Sequence, residues 1–176
     1  MDITIEPECP DDQAEIHAVV RAAFDHHQGV ADMVDAIRVS PNFVPDASLV
    51  ARLDGEVVGH VMLSYVTLVD GEVRHRVLSL SPLAVAPAVQ RRGVGSALVP
   101  AALAVGEARG EPLVVLEGSP VYYGRFGFVD SRPLGITLDL PDGAPREAGQ
   151  VYRLTAYDPT VRGHLVYPPA FALADG

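Results

Sequence analysis

Lysine is absent from this chain of 176 residues, so its 13 basic side chains are all arginine. A phosphate-binding P-loop, which needs a lysine after its last glycine, is therefore excluded. Acidic residues outnumber basic ones, 23 to 13, giving a net charge of −10. Nucleic-acid binding rests on clustered positive charge, so nucleic acid is not an expected partner. The single cysteine, Cys9, rules out an internal disulfide and any zinc site of several cysteines. In its Cys-Pro-Asp-Asp context, without a nearby histidine, it reads as an inert thiol, and no metal is expected. No apolar run approaches the ~20 residues of a membrane span, and the acidic start Met1-Asp2-Ile3-Thr4 lacks the basic region of a signal peptide. A cytoplasmic protein that meets no membrane is expected. The length suits one domain over residues 1–176, with a core over about 3–157 and an extended tail over 158–176, burying about 70% of the unfolded surface.

What the chain does contain centres on residues 77–110. Residues 77–85 have the β-branched, apolar content of a buried strand, 86–92 form a short connection, and the stretch from Gly93 is rich in Ala, Leu and Val. Gly93 and Gly95 thus fall at a helix N-terminus, where unpaired amides and the helix dipole favour an anion. Glycine leaves those amides open to a pyrophosphate, and Arg91 and Arg92 add charge beside them. Gly-x-Gly after a strand can also be a plain tight turn. The dinucleotide fingerprint does not fit, because Leu98 stands where its third glycine belongs.

Around this stretch the chain reads as alternating strands and helices. Residues 3–7 form a strand, and Asp12 with Glu15 resembles a capping box opening a helix to about Phe24. His26 and His27 read as solvated loop residues. A second short helix covers 31–39, and Phe43 follows it in a loop, either tucked under the core or lining a pocket. Strands over 48–53 and 56–69 are joined by Asp54-Gly55, and Asp70-Gly71 repeats the hairpin signal. After the Gly93 helix, in which Pro100 predicts a kink or looser first turns, 112–116 is a short strand reached by a helical crossover and hence parallel to its predecessor. Residues 138–140 and 151–157 are weaker strand candidates, and the tail beyond Asp158, with Pro168-Pro169, reads as extended chain.

The run Gln90-Arg91-Arg92-Gly93-Val94-Gly95 after Leu83-Ala84-Val85 resembles the acetyl-coenzyme A motif of the GNAT superfamily of N-acetyltransferases. The segment Val121-Tyr122-Tyr123-Gly124-Arg125-Phe126-Gly127-Phe128 is similar to that superfamily's Tyr-x-x-x-Gly-Phe element, with Tyr123 as its tyrosine. The resemblance implies an α/β fold with a mixed central sheet of about six or seven strands, splayed between strands 4 and 5 and flanked by helices. It implies acetyl-coenzyme A as co-substrate and a small-molecule or peptide amine as acceptor, and it admits a homodimer. Leu83, Ala84 and Val85 match the strand that pairs with the pantetheine arm, the amide of Leu83 facing the thioester carbonyl. Arg91, Arg92, Gly93, Val94, Gly95 and Ser96 match the pyrophosphate turn.

In the same resemblance Tyr123 stabilises the departing thiolate, with a core aromatic as the alternative and Tyr122 as the packing residue. An alkylamine of pKa ~10.4 is almost wholly protonated at neutral pH, so a base is expected. Some family members carry histidines where this chain has Ser79 and Ser81, which can at most hold water. Glu117 is the titratable candidate, against an ordinary exposed carboxylate, and His75 lies ~13 Å of strand away from Ser79. Lacking lysine, the protein cannot acetylate its own lysine side chains. The missing histidines leave open a non-catalytic acyl-coenzyme A sensor, and transfer of a longer acyl group is a further alternative.

Overall fold

The computed structural model describes Met1–Gly176 throughout. Local chemistry sets the first elements. Asp54 and Gly55 take φ of +53° and +86°, the left-handed pair that a two-residue type I′ hairpin demands, and join β2 (Phe43–Leu53) to β3 (Glu56–Asp70). The next hairpin turns at Gly71-Glu72, one residue later than expected. Gly71 supplies φ of +61° at the first central position, and β4 runs from Val73 to Val85. The remaining strands are β1 (Ile3–Pro7), β5 (Leu113–Glu117), β6 (Val129–Asp130), β7 (Ile136–Thr137), β8 (Gly149–Arg153) and β9 (Gly163–Val166). The helices are α1 (Gln13–Ala23), α2 (Gly29–Arg38), α3 (Val94–Ala108) and α4 (Pro120–Gly124).

The strands form one mixed sheet of nine, with hydrogen-bonded order β1-β2-β3-β4-β5-β8-β6 and with β9 pairing both β3 and β7. The chain divides into two compact units. Both contain parts of β3 and β4.

The first unit comprises Met1–Ser64, Ser81–Val105 and Pro168–Gly176. β1 and β2 pair antiparallel from Ile3↔Leu53 to Pro7↔Leu49, and β2 pairs β3 with a register shift between Phe43 and Ser48. α1 and α2 turn Ile16, Val20, Met33, Val34 and Ile37 onto Val50, Val57, Met62 and Ala84. Phe43 packs at the margin of this cluster. The Asp12/Glu15 capping box does not form. Asp12 accepts from the Cys9 amide (2.9 Å) and from Arg52 (2.6 Å), while Glu15 reaches the Val57 amide at 3.1 Å, because the strands beside the helix offer both carboxylates better donors. α3 continues through Pro100 without a break. Pro100, which removes one helical donor, is exposed, as is Ser96 one turn before it.

A buried ionic cluster crosses this unit. Glu8 accepts from Arg38 Nε (2.6 Å) and from Ser48 Oγ (2.9 Å), and its side chain and that of Arg38 are 5% and 8% exposed. Ser48 spends its one proton on Glu8, so His60 Nε2, 3.0 Å from Ser48 Oγ, donates to it, and the bare Nδ1 is left without a partner. Burial, opposed by Glu8, pushes the His60 pKa down and keeps the ring neutral.

The second unit comprises Tyr65–Leu80 and Gly106–Tyr167. β4 and β5 pair parallel at Leu78↔Val114 and Ser79↔Val115, although β4 continues to Val85 and β5 to Glu117. β5 pairs β8 antiparallel from Leu113↔Arg153 to Glu117↔Gly149. Gly106 near the end of α3 allows close packing, since a Cβ there would lie 3.2 Å from Leu154 and 3.5 Å from Leu78. Residues 138–140 are not a strand, their place being taken by the two-residue β7 just before them. The tail is more than extended chain. β9 pairs β3 antiparallel from Thr67↔Val166 to Val69↔His164, and Pro169–Asp175 in the first unit is a 3-10 helix against α2. No helix is long and apolar enough to cross a membrane.

Candidate active site

In the first unit the expected cofactor segment is a shaped turn. Gln90 Nε2 donates to the Val85 carbonyl (3.0 Å), and the Ala86 amide donates to Val58 on β3 (2.8 Å), tying the end of β4 to the sheet. Arg91 adopts φ of +60°, a left-handed conformation that costs a non-glycine residue about 1–2 kcal/mol, and Gly93 follows at φ +89°. Gly93 is glycine for its backbone angle, because a Cβ there would meet nothing within 4 Å. The Gly93 carbonyl accepts from the Ala97 amide at 3.0 Å, so α3 starts here with its first amides unpaired. Arg91, Arg92 and Ser96 are exposed around the turn, Val94 and Gly95 are buried beneath it, and Leu83 and Val85 are half-buried on either side of buried Ala84. Open glycine backbone, free helix-start amides and two exposed guanidinium groups suit a pyrophosphate.

What presses α3 onto the sheet is a residue the motif does not include. At Gly59 on β3 a Cβ would lie 2.8 Å from Val94, 3.0 Å from Leu98 and 3.3 Å from the Ala84 carbonyl. Its signal in the sequence is a glycine inside a strand pattern, which marks a close approach.

In the second unit, Tyr123 on α4 is wrapped by rings. Its centroid stands 4.9 Å from Tyr122 and 5.7 Å from Phe128, which in turn lies 5.5 Å from Tyr152. Burial first, then the neighbouring Tyr122, pushes its phenol pKa well above the ordinary value. A phenol so shifted keeps its proton, leaving a hydroxyl that can donate a hydrogen bond. Tyr122 is held by the Arg125 guanidinium over its ring at 4.6 Å and by its amide on Ser119 Oγ at 3.2 Å.

Glu117 ends β5 with its side chain exposed, and Tyr167 beyond β9 donates to its Oε2 at 3.3 Å. Tyr152 is opposite Val114 in the ladder while Glu117 is opposite Gly149, and strand residues alternate faces. Glu117 and the Tyr152–Phe128–Tyr123 stack therefore occupy opposite faces of the β5–β8 pair. Ser79, a possible water holder by sequence, is 1% exposed and paired with Val115, so it belongs to the ladder. The His164 interactions had no sequence signal: its ring bridges Thr137 Oγ1 (2.8 Å) and Asp139 (3.1 Å). His26 and His27 are exposed, as expected.

A family model described as an acetyltransferase (GNAT) domain matches residues 5–129. The uncharacterized N-acetyltransferase YjhQ of Escherichia coli strain K12 is 30% identical over 160 residues, 88% of this chain and 86% of that protein. The crystal structure of the GNAT family N-acetyltransferase YhbS from Escherichia coli, in complex with CoA, superposes with a TM-score of 0.85 at 29% identity, covering 97% of this chain and 92% of that one. A GNAT family acetyltransferase from Brucella melitensis, in complex with acetyl-CoA, gives 0.77 at 32% identity over 97% and 98%. The chain belongs to the GNAT family of N-acetyltransferases.

Proposed function

We propose that the protein transfers an acetyl group from acetyl-CoA to a primary amine in the cytoplasm, where its single exposed thiol, Cys9, is at home. The observation that carries this reading is the Gly93 turn, with its two left-handed residues and its open helix start. The CoA and acetyl-CoA held by similar solved structures support the ligand. In this reading the amides of Gly93, Val94, Gly95 and Ser96, with Arg91 and Arg92, hold the pyrophosphate. The backbone of Leu83, Ala84 and Val85 pairs with the pantetheine arm, and the Leu83 amide polarises the thioester carbonyl. Tyr123 donates a hydrogen bond to the departing sulfur. Glu117 takes the proton of the incoming amine.

The test has two parts. Calorimetry with CoA should show binding that Gly95→Val abolishes, since a branched side chain at this buried position in the first turn displaces the amides. Thiol release from acetyl-CoA across a broad amine panel should show acceptor-dependent turnover. Tight CoA binding without turnover on any amine would make the protein an acyl-CoA sensor, and stronger competition by propionyl- or succinyl-CoA would name a longer acyl group. Unchanged CoA affinity in Gly95→Val would remove the basis of the whole reading.

A further inference from the structure

A cavity of about 190 Å³ lies within the second unit, lined by Ser131, Thr137, Leu138, Leu140 and Gly149 together with Arg132 and Arg146. Gly149 ties it to Glu117. A Cβ on Gly149 would meet Ser131 Oγ at 3.1 Å and Leu138 at 3.3 Å, so the side of the sheet to which position 149 points is the cavity side. Glu117 is the cross-strand partner of Gly149, and directly opposed antiparallel residues project to one face with Cβ positions about 4.5–5.5 Å apart. The Glu117 side chain therefore stands on the face of the sheet that holds the cavity.

The two arginines differ. Arg132 is committed to Asp130 at 2.6 Å and Glu147 at 3.3 Å, whereas Arg146 is exposed and makes no hydrogen bond or ion pair with the chain. An open guanidinium is a ready partner for a carboxylate, which it can grip through two parallel hydrogen bonds. Leu138 and Leu140 make the interior apolar, and its volume falls below the ~300–1,000 Å³ of sites for drug-sized ligands, leaving room for a short aliphatic arm. Thr137 is fixed in the wall by His164, itself held by Asp139.

We propose that this cavity is the acceptor subsite and that it selects amines carrying a carboxylate beside a short apolar arm, an apolar α-amino acid being the simplest. The arm enters between Leu138 and Leu140, the carboxylate meets Arg146, and the amine is left on the face where Glu117 stands. This rests on the acetyltransferase reading and on Glu117 as its base.

Norleucine, norleucinamide and pentylamine form a matched set, with the carboxylate present, neutralised and removed. Their binding to the intact protein saturated with CoA is measured by saturation-transfer NMR and calorimetry, which need no turnover. The expected result is norleucine binding about tenfold tighter than either analogue, with the difference erased in Arg146→Gln while CoA affinity is unchanged. Equal binding of norleucine and norleucinamide to the unmutated protein, or a preference that survives in Arg146→Gln, overturns the proposal. Turnover on amines without that preference refutes this subsite and leaves the acetyltransferase reading standing. Absence of turnover on every amine refutes that reading, and the binding ratio still decides whether the cavity takes a carboxylate.

Discussion

Gly59→Ala tests the support beneath the cofactor turn. The new methyl would sit 2.8 Å from Val94 Cγ1 and 3.0 Å from Leu98 Cδ1, against the ~3.5–4.0 Å of a comfortable carbon contact. The Ala84 carbonyl, 3.3 Å away, belongs to the β4 backbone and cannot swing aside. Val94 is β-branched and stiff at χ1, so the strain passes to the helix backbone, and the start of α3 must lift by about half an ångström to one ångström. Overpacking of this kind costs about 1–3 kcal/mol of stability. It also displaces the amides assigned to the pyrophosphate, so CoA affinity should fall about tenfold, or ~1.4 kcal/mol. Urea unfolding reads the first effect and calorimetry the second. Val94→Ala in the Gly59→Ala background removes the clashing methyls and should restore most of the affinity, the coupling expected of residues in contact. A variant that loses stability but keeps full CoA affinity would show that the first turn of α3 does not hold the ligand. Failure of the second substitution to rescue would show that the clash is not with Val94.

Tyr123→Phe should leave CoA affinity intact and slow turnover about 10²-fold, the lower end of acid–base contributions, in steady-state kinetics where Tyr122→Phe loses less than about tenfold. A near-unchanged rate would make Tyr123 a packing aromatic. Glu117→Gln should lower turnover most near neutral pH, with the deficit shrinking as pH rises and the amine deprotonates unaided, and a pH–rate profile parallel to that of the unmutated enzyme would move the base elsewhere. Burial raises the pKa of Glu8, but the neighbouring His60 N–H, 3.6 Å away, and the hydrogen bonds from Arg38 and Ser48 outweigh it and hold the group at about 2, against 4.5 in the unfolded chain. Its stabilisation is then complete above pH 4.5 and is lost as pH falls toward 2, so Glu8→Gln should cost about 3 kcal/mol in urea unfolding at pH 7 and visibly less at pH 3. An equal cost at both values would refute the pairing.

Legibility in the sequence followed range. The Asp54-Gly55 hairpin and the strand–turn–helix around Gly93 are encoded by neighbouring residues, and both appear where the sequence puts them. The parallel pairing of β4 and β5 follows from one helical crossover. Features that depend on distant partners did not announce themselves. Glu8 meets Arg38 and Ser48 across 30 and 40 positions, and nothing in a polar residue's own neighbourhood says that another strand will bury it. Asp12 and Glu15 have capping-box spacing, yet Arg52 and the Val57 amide win them, a tertiary contest that local rules do not see. β9 lies in a Pro- and Gly-rich tail of weak strand propensity and exists because β3 offers it a free edge beyond Ser64, where its pairing with β2 has ended.

The arrangement of β5 bears on how acid and base roles are divided. Acyl transfer needs a proton removed from the amine and a hydrogen bond given to the sulfur that leaves. A single group placed for one of these is poorly placed for the other, because nucleophile and leaving group approach the acyl carbon from different directions. In the proposed mechanism β5 would divide the two roles by the alternation of an ordinary strand. Glu117 projects to the face it shares with Gly149, and the stack through Tyr152 and Phe128 holds Tyr123 on the other. The environments differ accordingly. Glu117 is exposed to solvent and accepts from Tyr167, while Tyr123 is packed among rings that keep its phenol protonated and able to donate. The proposed acceptor subsite lies on the Glu117 face, the face of the Arg146 cavity, and this makes the two proposals separable: Tyr123→Phe should slow every amine alike, whereas Arg146→Gln should change only the ranking among amines.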